Sequence, residues 1–294
     1  MSESVDALVR LLDLEQLEVN LFRGPSSTWG GRGVFGGQVI GQALVAAERT
    51  IEGRAPHSAH AYFLLPGDPA APIVYEVERI RDGRSFSARR IQAIQHGRPI
   101  FSMLASFQAP EAGFEHSIPM PEVPPPESLP SPDELRRRWL SEAPQSSHGT
   151  VELAFRAPQG IEYRRVGAGS PLEPPSREPR SAFWFRCVER VSDDLQVHRC
   201  LLAYASDWGL IGTALRPHGK RWWHGGIFIA SIDHALWFHR PARVDDWLLY
   251  VTDSPSAQMG RGFARGLVYD RGGRLVASVA QEGVIRETPR DRQT

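Results

Sequence analysis

The chain has 294 residues, 41% of them hydrophobic and 23% charged, which is typical of a folded globular protein long enough for two domains of average size. Lys plus Arg and Asp plus Glu both number 34, so the zero net charge argues against a nucleic acid partner but permits a local basic patch for a phosphorylated small ligand. No apolar run approaches the roughly 20 residues that span a bilayer, which argues against membrane insertion, and two cysteines, Cys187 and Cys200, are too few for a disulfide framework.

The first predicted elements are an amphipathic helix and a glycine-rich loop. Val5, Leu8, Val9 and Leu12 would share one face of a helix. The loop at residues 31–36, GRGVFG, matches the G-x-G-x-x-G pattern of dinucleotide sites, but turn-forming residues precede it where such a site needs a strand. We therefore expect no dinucleotide site, and interpret the loop as the entry to a helix whose first N–H groups can approach a ligand anion or carbonyl.

Two halves of the chain resemble each other. The first has the helical pattern GGQVIGQALVAAERT, then AYFLLPGD, then the hairpin pattern GRSFSARRIQAIQHGRPIFSMLASF. The second has DLQVHRCLLAYASDW, LWFHRPAR and GRGFARGLVYDRGGRLVASVAQEGVI at the same stages. Each unit would place a long helix across a curved antiparallel sheet. The sequence thus predicts an α+β fold of two helix-on-sheet repeats that form a pseudo-dimer, with a site possible where the halves meet.

A proline-rich segment separates the halves. From Pro110 to Pro132 the chain has eight prolines, which cannot form a continuous helix or a central strand. The segment is typical of an extended linker, and a short helix is predicted after it at Asp133–Leu140. We therefore expect an N-terminal domain at 1–110, a linker with a short helix at 111–150 and a C-terminal domain at 151–294.

The second-half segment Ser231-Ile232-Asp233-His234 contains the residue types of a serine hydrolase. Side chains alternate between faces along a strand, so Ser231 and Asp233 would share one face and His234 would point away. The chain also has no G-x-S-x-G nucleophile elbow, no H-E-x-x-H and no cysteine pair at zinc spacing. We therefore expect no Ser–His–Asp relay, no metal and no cofactor.

Eight motifs in chain order resemble the acyl-CoA thioesterase II family. They are VFGGQVIGQAL, HAYFLLPGD, DGRSFSARR, ASFQAPEAGFEH, YASDWGL, SIDHALWFHRP, DDWLLY and VASVAQEGV. Each would be weak alone, but together they extend over nearly all of the chain at consistent spacing. The resemblance implies a double hotdog fold and the hydrolysis of acyl-CoA to a free acid and CoA.

The resemblance also implies three catalytic residues. Family members are understood to orient a water with an Asp, a Thr or Ser and a Gln, and the motifs YASD, ASIDH and VAQEG place these at Asp207, Ser231 and Gln281. Ser231 replaces the Thr of many members, so it keeps the hydroxyl but lacks the β-methyl that stiffens χ1. A thioester needs neither a metal nor a covalent nucleophile, because its thiolate leaves readily. We expect Asp207 to take the proton of a water that Ser231 and Gln281 hold in place.

The start of the first-half helix offers candidates for binding the substrate carbonyl. Gly36, Gly37 and Gln38 are the residues whose N–H groups would stabilise the developing oxyanion.

A comparison of the two halves provides an internal control. Aligned on their helices, strands and hairpins, the halves place Arg49 opposite Asp207, Pro56 opposite Ser231 and Ala105 opposite Gln281. The first half therefore has the scaffold but none of the three functional groups, which suits duplication followed by loss of one site.

Two other functions remain open, an acyl-CoA hydratase or dehydratase and a non-catalytic acyl-CoA-binding protein, because hotdog scaffolds host several acyl-CoA reactions. Hydratase chemistry usually needs a His/Asp or His/Glu pair, whereas Asp207 is grouped with Ser and Gln. Family analogy favours a homodimer or homotetramer that binds acyl-CoA. The final residues RDRQT differ from the SKL-type peroxisomal signal, so we expect a cytoplasmic location.

Overall fold

The computed structural model describes residues 5–30, 33–158 and 160–288. The helices are α1 (Val5–Leu12), α2 (Gly36–Glu48), α3 (Pro132–Glu142), α4 (His148–Ala154) and α5 (Leu195–Ser206). The strands are β1 (Glu15–Glu18), β2 (Leu21–Gly24), β3 (Ala55–Phe63), β4 (Ile73–Asp82), β5 (Phe86–Gln95), β6 (Arg98–Gln108), β7 (Ile161–Arg165), β8 (Arg180–Cys187), β9 (Ile227–Ser231), β10 (Asp233–Phe238), β11 (Leu248–Gln258), β12 (Arg261–Asp270) and β13 (Leu275–Glu287). The predicted N-terminal helix is confirmed as α1, and no helix in these ranges is long and apolar enough to cross a membrane.

These strands form one antiparallel sheet whose second half repeats the first in reverse order. From one edge the order is β1-β2-β4-β5-β6-β3, and it continues as β10-β13-β12-β11-β8-β7, with β9 beside β13. The halves join where β3 pairs with β10, for example Ser58 with Trp237 and Tyr62 with Asp233. The predicted α+β class, with two helix-on-sheet repeats forming a pseudo-dimer, is confirmed.

The two long helices α2 and α5 lie side by side in the core that both halves share. A Cβ atom on Gly37 would overlap the carbonyl oxygen of Tyr204, and one on Gly41 would lie 3.2 Å from the carbonyl oxygen of Cys200. The helices therefore touch through their backbones, and position 37 must be glycine because a Cβ atom would not fit there. At the opposite end of the pair, Arg199 in α5 forms an ion pair with the buried Glu48 in α2 at 2.8 Å.

The helix ends support the alignment of the halves. Arg49 is the first residue past α2, and Asp207 is the first residue past α5. Because the helices run antiparallel, the end of α5 that carries Asp207 lies at the start of α2, where Gly36 is located. Asp207 therefore sits on the boundary between the two halves.

A one-residue bulge separates β9 from β10. Both strands pair with β13, Ser231 with Gly283 and Ala235 with Ala280, so four steps along one strand match three along the other. The extra residue resets the alternation of side chains beyond it. Ser231 and His234 consequently point to the same face, and the expectation that His234 points away from Ser231 is wrong.

The proline-rich segment covers the outer face of the second-half sheet. Phe183 and Phe185 of β8 face the main core, whereas Trp184 between them faces outward and packs in a second apolar cluster. The indole N–H of Trp184 donates to the carbonyl oxygen of Pro124 at 2.9 Å. The segment thus shields an apolar patch of the sheet from solvent.

The helix predicted at Asp133–Leu140 is confirmed as α3, and it is slightly longer than expected. It begins with a capping box in which Ser131 and Glu134 bond each other's backbone N–H groups. The division into domains at 1–110, 111–150 and 151–294 stays a prediction.

The close approach of α2 and α5 can be tested with Gly37→Ala. The added Cβ would overlap the Tyr204 carbonyl and lie 2.5 Å from the Phe35 ring, and overpacking of this kind typically costs about 1–3 kcal/mol. Gly149→Ala in α4 is the control: its Cβ would contact nothing, so better helix propensity should stabilise the protein by up to about 1 kcal/mol. Urea unfolding should give opposite signs for the two variants, and a Gly37→Ala midpoint at or above the wild-type value would contradict the close contact.

Candidate active site

The three predicted catalytic residues meet at the end of α5. The Gln281 amide, on β13, donates to Asp207 Oδ1 at 2.6 Å and to Ser231 Oγ at 3.1 Å. The Ser231 hydroxyl donates weakly to the same Asp207 oxygen at 3.5 Å. Ser231 and Gln281, which are 24 and 74 positions from Asp207 in the sequence, therefore contact the same carboxylate oxygen.

The three residues differ in their access to solvent. Asp207 and Ser231 line a cavity of about 400 Å³, although only 8% of the Asp207 surface is exposed. Gln281 is completely buried and lies behind them. A molecule in the cavity can therefore touch the carboxylate and the hydroxyl directly.

His234 is a fourth member of this cluster that sequence reasoning missed. Its Nδ1 lies 3.2 Å from the Gln281 amide nitrogen and 3.8 Å from Asp207 Oδ1, and its side chain is completely buried. The bulge at Ile232 brings it there, and the only signal for it was its position within the SIDH motif. A regular strand would have turned it to the opposite face.

Hydrogen bonds fix the tautomer of His234. The Ser206 hydroxyl donates to the Ala203 carbonyl oxygen at 2.8 Å, so Ser206 Oγ can only accept from His234 Nε2, at 2.9 Å. His234 therefore carries its proton on Nε2, and its Nδ1 accepts from the Gln281 amide. Desolvation lowers the pKa of His234, and the negative charge of Asp207 opposes this shift without reversing it, so His234 is neutral at pH 7.

The same bonds fix the orientation of the Gln281 amide. Its NH₂ group has two hydrogens and faces three acceptors, the Asp207 carboxylate, Ser231 Oγ and His234 Nδ1, so two of these acceptors share one hydrogen. A rotated amide would place its oxygen 2.6 Å from the carboxylate and leave the His234 acceptor without a donor. The amide oxygen Oε1 has no partner among the described residues.

The three residues predicted to bind the oxyanion lie in different surroundings. Gly36 lines the cavity, and a Cβ on it would lie 2.7 Å from Asp207 Oδ2, so the start of α2 lies directly against the carboxylate. Gly37 packs against α5 as described above. The Gln38 side chain is buried away from the cavity, where it donates to the Pro25 carbonyl at 2.8 Å and accepts from the Ser27 N–H at 3.2 Å.

The N–H groups of Gly36 and Gly37 precede the first backbone hydrogen bond of α2, which runs from Gln38 N to the Phe35 carbonyl at 3.0 Å. Such N–H groups at a helix start have no intrahelical partner and carry a partial positive charge. The backbone at this point can therefore stabilise negative charge in the cavity, while the Gln38 side chain holds the preceding loop.

The walls of the cavity come from both halves and include several aromatic side chains. Trp29 and Phe35 from the first half contact each other edge to face, with ring centres 4.9 Å apart. Trp208 from the second half has its ring centre 5.8 Å from that of Trp29, and Phe183 and Ile229 are among the other apolar residues that line the cavity. The cavity therefore exists only because the halves are joined.

The corresponding end of the first half is chemically different. Arg49 occupies the place of Asp207 and is bonded to the Leu14 carbonyl and to the Asp13 carboxylate. In the second half, His234 follows Ser231 by three residues and lies beside Gln281. In the first half, Ala59 follows Pro56 by three residues and pairs with Ala105 of β6. In the described structure, the first half has apolar side chains where the second has Ser231, His234 and Gln281.

Two protein-family models match the chain. The one described as acyl-CoA thioesterase matches residues 176–284, and the one described as acyl-CoA thioesterase N-terminal domain matches residues 25–108. Together they cover most of both repeats and leave out the proline-rich segment.

Individual proteins are similar over nearly the full length. The chain is 41% identical to acyl-CoA thioesterase 2 of Haemophilus influenzae, over 97% of this chain and 99% of that protein. It is 42% identical to acyl-coenzyme A thioesterase 8 of Homo sapiens, over 95% of this chain and 88% of that protein. A crystal structure of acyl-CoA thioesterase II TesB2 from Mycobacterium marinum superposes with a TM-score of 0.77 at 41% identity, covering 95% of this chain and 97% of that one.

The neutral state of His234 predicts a specific pH dependence of stability. The pKa of His234 is lower in the folded state than its unfolded value near 6.5. Its contribution to the free energy of unfolding is therefore complete above about pH 6.5 and is lost as the pH falls through the folded-state pKa. His234→Gln removes this titration, so its unfolding free energy should fall less steeply than that of the wild type between about pH 7 and pH 5.

Other histidines with lowered pKa values, such as His57 and His198, are common to both proteins and cancel in the difference. Denaturant titrations at several pH values provide the measurement, and parallel curves would show that His234 is not buried in its neutral form.

Proposed function

The chain belongs to the acyl-CoA thioesterase family, and we propose that Asp207, Ser231 and Gln281 carry out its reaction, the hydrolysis of acyl-CoA to a free acid and CoA. The observation that supports this most strongly is that the side chains of Gln281 and Ser231 both contact Asp207 Oδ1, at 2.6 and 3.5 Å, at the edge of a cavity between the halves. The contacts of each residue suggest a separate role.

Asp207 is the proposed general base. A water held between Asp207 and Ser231, both of which line the cavity, attacks the thioester carbonyl carbon while the carboxylate takes its proton. The tetrahedral intermediate then collapses by breaking the carbon–sulfur bond. The proton on Asp207 passes to the departing CoA thiolate, which restores the carboxylate for the next turnover.

Gln281 is proposed to position the other two residues. It is completely buried, and its NH₂ group already donates to both Asp207 and Ser231. This differs from the expectation that Gln281 itself holds the water. His234 in turn fixes the Gln281 amide, so the acceptor geometry at Asp207 is set before substrate binds.

The start of α2 is the proposed oxyanion site. The N–H groups of Gly36 and Gly37 precede the hydrogen bonds of the helix, and Gly36 borders both the cavity and Asp207. Negative charge develops on the carbonyl oxygen as water attacks, and donors fixed in advance stabilise it most effectively. In this proposal the first half supplies the oxyanion donors and the second half supplies the base.

The hydratase alternative receives no support from the His234–Asp207 pair. The two side chains are 3.8 Å apart, but His234 is buried behind Gln281 and both of its ring nitrogens have partners. Neither nitrogen is available to the α or β carbon of an acyl chain in the cavity.

We also propose a cytoplasmic location and a homodimer or homotetramer. Cys187 and Cys200 are both free and buried, which is compatible with a reducing compartment. Tyr62 and Leu104, on strands next to the junction of the halves, are 58% and 50% exposed, and a second subunit could cover them.

Asp207→Asn should lower kcat/KM for acyl-CoA by roughly 100-fold or more, because a neutral amide cannot accept the water proton. The matched control is Arg49→Gln, at the corresponding place past α2, which should remain close to wild type. CoA release is followed with a thiol reagent. Undiminished release by Asp207→Asn would remove Asp207 from the proposed mechanism.

Variants of Ser231 separate the hydroxyl from the rest of the side chain. Ser231→Thr keeps the hydroxyl and should keep most of the activity, whereas Ser231→Ala should lower kcat by about tenfold or more, as expected for one lost hydrogen bond in the transition state. Equal kcat values for the Ala and Thr variants would show that the hydroxyl does not contact the water.

A further inference from the structure

Basic side chains line the same cavity as Asp207 and Ser231. They are Arg165 at the end of β7, Arg216 and Lys220 in and after the 3-10 segment Ile211–His218, and Arg221. The three arginines are half-buried, whereas Lys220 is exposed and lies 3.5 Å from Glu287. We call Arg165, Arg216 and Arg221 the arginine cluster.

The arginine cluster has no carboxylate within ion-pair distance among the described residues, in contrast to other partly buried arginines of the chain. Arg164, the neighbour of Arg165 on β7, pairs with Glu162 at 2.7 Å. Arg199 pairs with Glu48 at 2.8 Å. A partly buried cation that has no carboxylate in direct contact is unfavourable, so the cluster is suited to bind an anion from outside the chain.

The bonds that the cluster does make are to neutral groups. Arg165 donates to the Ala154 carbonyl at 2.8 Å, and Arg216 donates to the Glu178 backbone carbonyl at 3.2 Å. The Nε of Arg221 is buried and has no acceptor in the described structure. Each guanidinium therefore keeps N–H donors that a ligand can use.

An aromatic ring holds two of the cations together. The guanidinium carbons of Arg165 and Arg221 both lie 5.1 Å from the centre of the Trp223 ring, and Trp223 is itself fixed by a hydrogen bond to the Pro171 carbonyl at 2.9 Å. Cation–π contacts stabilise each charge but do not neutralise it.

Burial and mutual repulsion both disfavour the charged forms of these arginines. Burial lowers the pKa of Arg165 to about 10, and the charge of Arg221 adds to this shift. Burial also lowers the pKa of Arg221, Arg216 adds to it, and Glu173 opposes it. A bound anion would relieve both the desolvation and the repulsion.

We propose that the arginine cluster binds the phosphate groups of the CoA nucleotide. Guanidinium groups match phosphate oxygens in geometry as well as in charge, and three of them border one cavity. The cluster and the Asp207–Ser231 pair border the same cavity, so a substrate whose thioester lies at that pair can direct its CoA portion toward the cluster. The inference rests on the proposed function, because it assigns a part of the same substrate.

The test compares two substrates with the same acyl group, an acyl-CoA and the corresponding S-acylpantetheine, which has the thioester but no phosphate. Arg216→Gln and Arg221→Gln should each raise KM for the acyl-CoA by roughly tenfold, the usual effect of losing a charge-assisted hydrogen bond. Their kcat, and their KM for the acylpantetheine, should stay at wild-type values. Arg221→Lys should recover part of the loss.

Arg265→Gln is the matched control, since Arg265 is an exposed arginine paired with Asp253 at 2.7 Å, and it should change neither KM. An equal rise in KM for both substrates, or no rise for either, would overturn the assignment of the cluster. A wild-type protein that hydrolyses neither substrate would instead contradict the proposed function.

A second measurement needs no variant and decides the matter if the substitutions prevent folding. Added salt screens phosphate–guanidinium attraction, so the wild-type KM for the acyl-CoA should rise between low and high ionic strength while that for the acylpantetheine stays constant. Equal responses of the two substrates to salt would also overturn the proposal.

Discussion

The backbone contact between the start of α2 and the end of α5 is the constraint on which the site depends. Gly37 lets α2 approach the Tyr204 carbonyl, and this approach places Gly36 against Asp207 Oδ2. The partial positive charge at the start of α2 then lies beside the carboxylate of the other half. A side chain at Gly37 would separate the helices, and with them the base from the proposed oxyanion donors.

A buried chain of hydrogen bonds holds the carboxylate in place from the opposite side. It runs from Ser206 through His234 and Gln281 to Asp207, and every donor in it has an acceptor. Buried polar groups destabilise a core unless they are paired, so removing one member of this chain would leave its neighbours without partners. The first half has Ala59 and Ala105 at the corresponding positions, which keeps the core intact without a second site.

The sequence predicts much of the fold because helix and strand periodicity, repeated twice, leave few alternative arrangements. It also predicts Asp207, Ser231 and Gln281, since family motifs mark them, and the structure shows that they meet. It does not predict His234, because a bulge at one residue reverses the face on which a side chain lies. The arginine cluster was also missed: Arg165 and Arg221 are far apart in the chain, and only the folded cavity brings them together.

A crystal structure with a non-hydrolysable acyl-CoA analogue would show where the thioester binds relative to Asp207. We expect the carbonyl carbon to lie within about 3.5 Å of a water bound to Asp207 and Ser231, with the carbonyl oxygen directed at the start of α2. A smaller cavity of about 230 Å³ lies at the opposite end of the helix pair, beside Arg49 and Cys200. An analogue whose thioester group occupied that cavity, away from Asp207, would show that Asp207 is not the general base.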